Sequence, residues 1–177
     1  LAKGAAHVLV AGDVFDSSTV ADRILRQAMA RLAKHALLTW HLLPGNHDPL
    51  KVGGVWDRLT RAGSPGNVIV HATPAPHLLA PHVALLPSPL AAAASSHDPT
   101  AWMDAAQTAP GVLRIGLAHG SVRGFGSDGE AAQQIAPTRA KTANLAYLAL
   151  GDWHGAVGIS DRVWYSGTPE PDRFPDN

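Results

Sequence analysis

The alternation of hydrophobic and polar positions divides this chain into strands and helices. Short runs rich in Val, Ile and Leu that stop at glycine or proline predict buried strands, and apolar residues at helical spacing predict helices. Predicted strands cover 7–13, 37–48, 66–71, 76–79, 82–87, 112–120, 146–155 and two short stretches within 157–170; predicted helices cover 19–35, 53–63, 98–108 and 138–145. Thr19, followed by Asp22, is a capping signature for the first helix, and Asp98 is expected to cap the third. Strands alternate with helices early and crowd together late, which predicts an α/β protein with a single domain over residues 1–177.

Composition narrows the class of protein. Of 177 residues, 46% are hydrophobic and 16% charged, which is typical of a globular domain rather than a disordered one. The absence of cysteine excludes a disulfide framework and a thiolate metal site. No apolar run approaches the ~20 residues of a membrane span. We therefore expect a cytoplasmic protein that does not enter a membrane.

The charge balance gives a mixed indication of the partner. The formal net charge is +0, whereas a surface that binds duplex DNA usually has an excess of Lys and Arg, so a long nucleic-acid footprint is disfavoured. The 10 histidines are many for this length, and histidine is the commonest metal-binding side chain. Metal chemistry is therefore the first function to test against the motifs.

Four apolar strands end in polar residues of the metal-binding type. The first ends at Asp13, the second at Asn46, His47 and Asp48, the third at His119, and the fourth at Asp152 and His154. In open α/β sheets, ligands bind beyond the carboxyl ends of the strands, so these residues meet in one pocket if the strands share one sheet. Glycines next to them allow close approach of the backbone.

The segment Gly151–Gly155 illustrates both readings of such an ending. In an extended chain, Asp152 and His154 point to the same face and Trp153 to the other, which would place two ligands on one side and an apolar anchor behind them. The alternative is a polar strand end that is capped by a glycine turn.

The residue types predict divalent-metal chemistry. Carboxylate, amide and imidazole ligands suit Mn, Fe or Zn, and two such ions about 3.5–4 Å apart can activate a hydroxide and hold both oxygens of a phosphoester displacement. A histidine beside the metals can protonate the leaving alkoxide. Gly-Asn-His-Asp is the most specific motif, whereas Gly-Asp and His-Gly are weak. The remaining histidines and four of the tryptophans are interpreted as structural: His7, His35, His41, His71, His77, His82, His97, Trp40, Trp56, Trp102 and Trp164.

In this order, "GDVFDSS", "GNHDP", "AHGSV" and "GDWHG" resemble the calcineurin-like metallophosphoesterase superfamily. With the closing "WYSGTPEPDRF" they look most like its SbcD/Mre-type branch of DNA repair exonucleases. The resemblance implies a four-layer α/β/β/α sandwich and a two-metal phosphoesterase. It implies manganese first, with iron, zinc or magnesium as alternatives, nucleic acid as substrate and an ATPase as partner.

The resemblance also implies a role for each motif residue. Metal ligands would be Asp13, which bridges, with Asn46, His119, Asp152 and His154. Asp152 stands where the family usually has a histidine, and it and His154 would bind different metals. His47 would be the general acid, and Asp48 would orient it.

The family's first motif, Asp-x-His, is absent from the sequence, and it would lie on a strand upstream of Leu1. The first metal would therefore keep only Asp13 and His154 from this chain. Because the sequence opens like the tail of a helix and closes without a further element, we also expect a chain that is clipped at both ends. Three functions remain open: a DNA repair-type nuclease, a nucleotide or small-molecule phosphodiesterase, and a non-catalytic binding scaffold with the same fold.

Overall fold

The computed structural model describes residues 4–125 and 133–170, which form two facing β-sheets with helices on their outer sides. The strands are β1 (His7–Val10), β2 (Thr39–Leu42), β3 (Val68–Val70), β4 (His77–Ala80), β5 (Val83–Ser88), β6 (Leu113–His119), β7 (Tyr147–Gly151), β8 (Val157–Ser160) and β9 (Val163–Tyr165). The helices are α1 (Asp22–Ala33), α2 (Val55–Ala62) and α3 (Arg139–Thr142), with a 3-10 helix at Ala101–Asp104. None of the described helices has the length and apolar character needed to cross a membrane.

Both sheets carry a block of parallel strands. The first sheet has the order β1-β2-β3, with every pair parallel. The second has the order β4-β5-β6-β7-β9-β8, in which β5, β6, β7 and β9 are parallel and the two edge strands are antiparallel to their neighbours. The loops that follow β1, β2, β6 and β7 therefore leave from the carboxyl ends of parallel strands.

Three apolar clusters separate the layers. Leu43, Leu85 and Leu117 are completely buried between the two sheets. Leu25 of α1 and Trp56 of α2 pack on the outer face of the first sheet, and the outer face of the second sheet is covered by the 3-10 helix and α3. The order helix, sheet, sheet, helix confirms the predicted four-layer α/β/β/α class.

Several predicted boundaries are wrong, each for a local reason. The residue before α1 is Ala21, and the Thr19 hydroxyl instead bonds the Ser17 hydroxyl at 2.9 Å, so Thr19 does not cap the helix. The carboxylate of Asp98 accepts hydrogen bonds from Thr100 and Arg139, and only a short 3-10 helix forms where 98–108 was predicted. The expectation of clipped ends concerns residues 1–3 and 171–177, which lie outside the described residues.

Candidate metal centre

Asp13 lies in the turn after β1 and contacts two other motifs. Its backbone has φ 50°, a left-handed conformation that is uncommon for a residue with a side chain. One carboxylate oxygen accepts the His47 backbone N–H at 3.0 Å, and the other lies 3.3 Å from Nε2 of His119. Burial alone would raise the pKa of Asp13, but the hydrogen bond and charge of His119 outweigh it and hold the pKa below its usual value. Asp13 is therefore an anion at neutral pH.

Asp48 connects the loop after β1 and the loop after β2 through hydrogen bonds. It is completely buried, and its carboxylate accepts the backbone N–H of Gly45 at 2.7 Å and that of Phe15 at 3.0 Å. Burial raises the pKa of Asp48 to about 6, although these two hydrogen bonds act in the opposite direction. Asp48 thereby joins the loop after β1 to the loop after β2.

The carboxylate of Asp48 bonds backbone amides rather than the side chain of His47, so its role in orienting His47 stays a prediction. Both carboxylate oxygens of Asp48 are engaged by backbone amides. His47 is exposed, and its Nδ1 instead lies 3.2 Å from the carbonyl oxygen of Asp16. Since a carbonyl only accepts, Nδ1 carries the proton of that hydrogen bond, and Nε2 is the atom that is left to exchange protons.

His119 is held so that one defined nitrogen faces the other donors. It is the last residue of β6 and 2% exposed. Its Nδ1 donates to the carbonyl of Ala11 at 2.8 Å, the type of contact that fixes the tautomer of metal-binding histidines. Nε2 lies 2.8 Å from Oδ1 of Asn46. Burial alone would lower the pKa of His119, but the adjacent Asp13 carboxylate raises it. The surroundings of Nε2 thus favour a positive charge, either a proton or a cation.

Asn46 provides a direct test of whether a cation fits here. Its Oδ1 faces Nε2 of His119 and the carboxylate of Asp13, and the reversed amide would donate to both, at 2.8 Å and 3.0–3.2 Å. With His119 neutral and no cation present, the reversed amide makes more hydrogen bonds than this orientation. With a divalent cation among these atoms, the orientation with Oδ1 inward supplies a ligand and is favoured instead. The donor set therefore fits an oxygen-rich cation site.

Asp152 also faces His119, although not through the extended strand geometry that was predicted for it. Strand β7 ends at Gly151, and Asp152 has φ 102°, so the strand alternation that paired Asp152 with His154 does not apply. One carboxylate oxygen accepts the hydroxyl of Ser121 at 2.9 Å, and the other lies 3.7 Å from Nε2 of His119. The side chain is thus held beside the predicted ligands. Positive φ at both Asp13 and Asp152 is the kind of strain that clusters at functional sites.

His154 is exposed, and its backbone is fixed by a hydrogen bond from the Thr168 N–H to its carbonyl at 2.9 Å. It lines a cavity of about 570 Å³ together with Asp13, His119 and Asp152. Its role as a ligand stays a prediction, as does the binding of two metals.

The motif residues come from two sheets rather than one, which corrects the single-sheet expectation. Asp13 and Asn46 follow strands of the first sheet, whereas His119 and Asp152 belong to the second. The sheets approach closely because Gly12, with φ 91°, has no side chain; a Cβ there would collide with the imidazole of His119. Gly45 likewise leaves room for the carboxylate of Asp13.

In this arrangement the side chains bind one another. Within residues 4–125 and 133–170, no group of three or more His, Asp or Glu side chains is already arranged to hold a metal ion. Metal binding therefore requires the contacts of His119 with Asp13 and Asn46 to be exchanged for contacts with the ion.

Sequence reasoning missed a second group of histidines, which we name the histidine cluster: His7, His41, His71 and His77. His7 Nδ1 lies 3.0 Å from His41 Nε2, and His41 Nδ1 lies 3.0 Å from His71 Nε2. The ring of His77 packs edge-on against His41 and His71, with centroids 5.4 Å and 5.1 Å apart. These histidines were interpreted as isolated because they are far apart in the chain. The one sequence signal for this cluster is the alternation of side chains along β1 and β2, which places His7 and His41 on the faces that point toward the other sheet.

A family model described as calcineurin-like phosphoesterase matches residues 2–121, which include Asp13, Asn46, His47, Asp48 and His119 but not Asp152 or His154. A comparison with curated proteins finds no match.

Proposed function

Because the chain belongs to the calcineurin-like phosphoesterase family, which supports a metal-dependent phosphoesterase in general, we propose that it is a nuclease of the DNA repair type. It would hydrolyse phosphodiester bonds through a two-metal centre. The observation that carries the proposal is the meeting of Asp13, Asn46, His119 and Asp152 from the ends of four strands. The resemblance of "GNHDP" and "AHGSV" to the SbcD/Mre-type branch supports a phosphodiester substrate.

The proposal assigns a chemical role to each residue of the candidate metal centre. Asp13, Asn46, His119, Asp152 and His154 would hold two divalent ions, which would supply a nucleophilic hydroxide and stabilise charge on the phosphate. The backbone N–H of His47 bonds Asp13, so His47 lies directly beside a residue that would hold the ions. Its Nδ1 is engaged by Asp16, and Nε2 would donate a proton to the leaving oxygen.

The open side of β1 supports completion of the site by a further strand. Among the described residues β1 pairs only with β2, although its sequence, His-Val-Leu-Val, is apolar like that of a central strand. The cavity runs along β1, from Val8 and Val10 to Asp13, and is also lined by Trp40, whose buried Nε1 has no hydrogen-bond partner within the described part of the chain. We propose that a strand with the Asp-x-His motif pairs with β1 here.

The test compares residues 1–177 with a chain that carries such a strand upstream. Manganese-dependent hydrolysis of bis(p-nitrophenyl) phosphate and of single-stranded DNA is expected for the longer chain and nearly none for residues 1–177. Bound manganese is measured on both. Equal turnover by the two chains would remove the extra strand from the proposal, and bound manganese without hydrolysis of either substrate would overturn the phosphodiesterase.

One observation favours a second candidate, a binding scaffold without turnover. The donor side chains are satisfied by one another, and among the described residues none of their groups is preformed for a metal. This candidate predicts that the longer chain binds little manganese and does not hydrolyse phosphodiesters.

An ATPase partner is part of the nuclease proposal. That proposal predicts that addition of the ATPase makes DNA cleavage ATP-dependent.

A further inference from the structure

Trp153 is a large apolar side chain exposed beside the proposed reaction centre. It lies between Asp152 and His154 and lines the same cavity as Asp13 and His119. The residue is 39% exposed, whereas one of the two interpretations of the sequence made it an apolar anchor behind Asp152 and His154. An open aromatic surface next to a phosphate-binding site calls for a ligand with a flat apolar face.

Two further aromatic rings hold Trp153 in place. The ring of Phe125 meets it at 68°, with centroids 5.2 Å apart, and stacks on Tyr165 at 5.7 Å. Tyr165 is 2% exposed, and its hydroxyl donates to the Gly120 carbonyl at 3.0 Å and accepts the Val122 N–H at 2.8 Å. A ring supported in this way loses little freedom when a ligand stacks on it.

We propose that Trp153 stacks on the nucleobase next to the scissile phosphate and so selects single-stranded nucleic acid over phosphodiesters without a base. The proposal rests on the proposed nuclease function. Base stacking tolerates any base, because every base has a flat π-face, and it does not require positive charge. This matters here because the chain has a formal net charge of +0 and so has no excess of positive charge to attract a phosphate backbone.

Binding is measured first, because it does not require turnover. A fluorescently labelled oligothymidylate of eight nucleotides is compared with an abasic oligomer that has the same number of phosphates. We expect the wild-type protein to prefer the thymidylate by about 5- to 150-fold, the range of one base–aromatic contact. Trp153→Ala should abolish that preference and Trp153→Phe should retain part of it.

Trp164 offers a matched control. It is 43% exposed, packs over Gly158 on β8 and lies outside the cavity, so Trp164→Ala should leave the preference unchanged. Thermal unfolding of each variant shows whether it folds. Binding of neither oligomer by the wild type, equal binding of both, or an equal loss of both in Trp153→Ala would overturn the proposal, the last because it would mean that Trp153 only shapes the loop.

Kinetics on the longer chain separate this proposal from the nuclease function. Thymidine 5′-(p-nitrophenyl) phosphate and methyl p-nitrophenyl phosphate share a leaving group, and the first carries a nucleoside where the second carries a methyl group. Trp153→Ala should raise KM for the first by about 5- to 150-fold, with little change in kcat, and leave the second unchanged. Hydrolysis of both substrates with unchanged KM would overturn stacking while leaving the phosphodiesterase intact.

Discussion

The candidate metal centre and the histidine cluster both lie where the two sheets meet. A positive charge on histidine is favoured in the first and disfavoured in the second. At the metal centre, Nε2 of His119 faces the carboxylates of Asp13 and Asp152, and its pKa is raised in spite of burial. In the histidine cluster, His41 and His71 face other imidazoles, and burial together with those neighbours lowers the pKa of each to about 4. Identical side chains thus favour positive charge in one place and stay neutral in the other, and the difference comes from the carboxylates.

The largest expected effect concerns His47, the proposed general acid, which must be distinguished from the proposed metal ligands. Replacement of His47 by Ala should reduce turnover of a phosphodiester with a poor leaving group by roughly 10²–10⁴-fold, because the variant lacks the proton at Nε2. Bound manganese should remain near the wild-type level, since His47 contacts Asp13 through its backbone N–H, which Ala retains.

Two results would contradict this assignment. Loss of the metals from His47→Ala would show that His47 is a ligand rather than the acid. Full activity on the poor leaving group would remove it from the mechanism. His82, which is exposed and lies outside the cavity, supplies the matched control, and His82→Ala should change neither quantity.

Acid should destabilise the fold through the histidine cluster. The folded-state pKa values of His41 and His71, about 4, lie below the ordinary 6.5, so the unfolded chain binds more protons between these values. The stability that depends on neutral histidines is complete above pH 6.5 and is lost as the pH falls toward 4. The loss is at most about 3 kcal/mol for each group. Denaturant unfolding between pH 4 and pH 7 measures it.

The variant His41→Leu isolates this contribution. The raised pKa of Asp48, about 6, acts in the opposite direction in part of the same range, because its ionisation destabilises the fold as the pH rises. Subtracting the His41→Leu curve from the wild-type curve removes the Asp48 term. Parallel curves for the two proteins would show that the cluster does not titrate as inferred.

The contrast also explains what could be predicted from the sequence. The layers and most strands follow from apolar runs, and Asp13, Asn46 and His119 were predicted as ligands because each stands at or just after the end of such a run. The contacts of Asp48 could not be predicted, because its partners, the backbone amides of Gly45 and Phe15, have no signature in the sequence. The histidine cluster was missed because it unites residues from four strands or strand ends, in both sheets. Tertiary contacts between different sheets leave no local pattern.

Asp48 connects the loops of the metal centre, and its removal should loosen them. Asp48→Asn keeps the shape but replaces one acceptor with an NH₂ group, so either Gly45 or Phe15 loses its hydrogen bond. We expect manganese affinity to fall by about 10–100-fold, as for other residues that orient metal ligands. Calorimetric titration of the longer chain measures this. Asp57→Asn, on α2, is a control, and unchanged affinity in Asp48→Asn would show that the two loops are positioned independently.

The smallest expected effect concerns the choice of metal. At the one of the two metals that Asp152 would bind, Asp13, Asn46 and Asp152 would supply oxygen and only His119 nitrogen, and such hard donor sets favour manganese or magnesium relative to zinc. The carboxylate of Asp152 is held toward His119 by the Ser121 hydroxyl, rather than directed away as a turn cap. Asp152→His should therefore shift the preference a few-fold toward zinc. Asp152→Asn, which keeps an oxygen but removes the charge, should weaken binding of both metals and leave their order unchanged. Titrations of the three proteins with each metal decide the matter. Identical affinities and preferences in the wild type and Asp152→His would mean that Asp152 does not touch the metal and that its carboxylate serves only to hold Ser121.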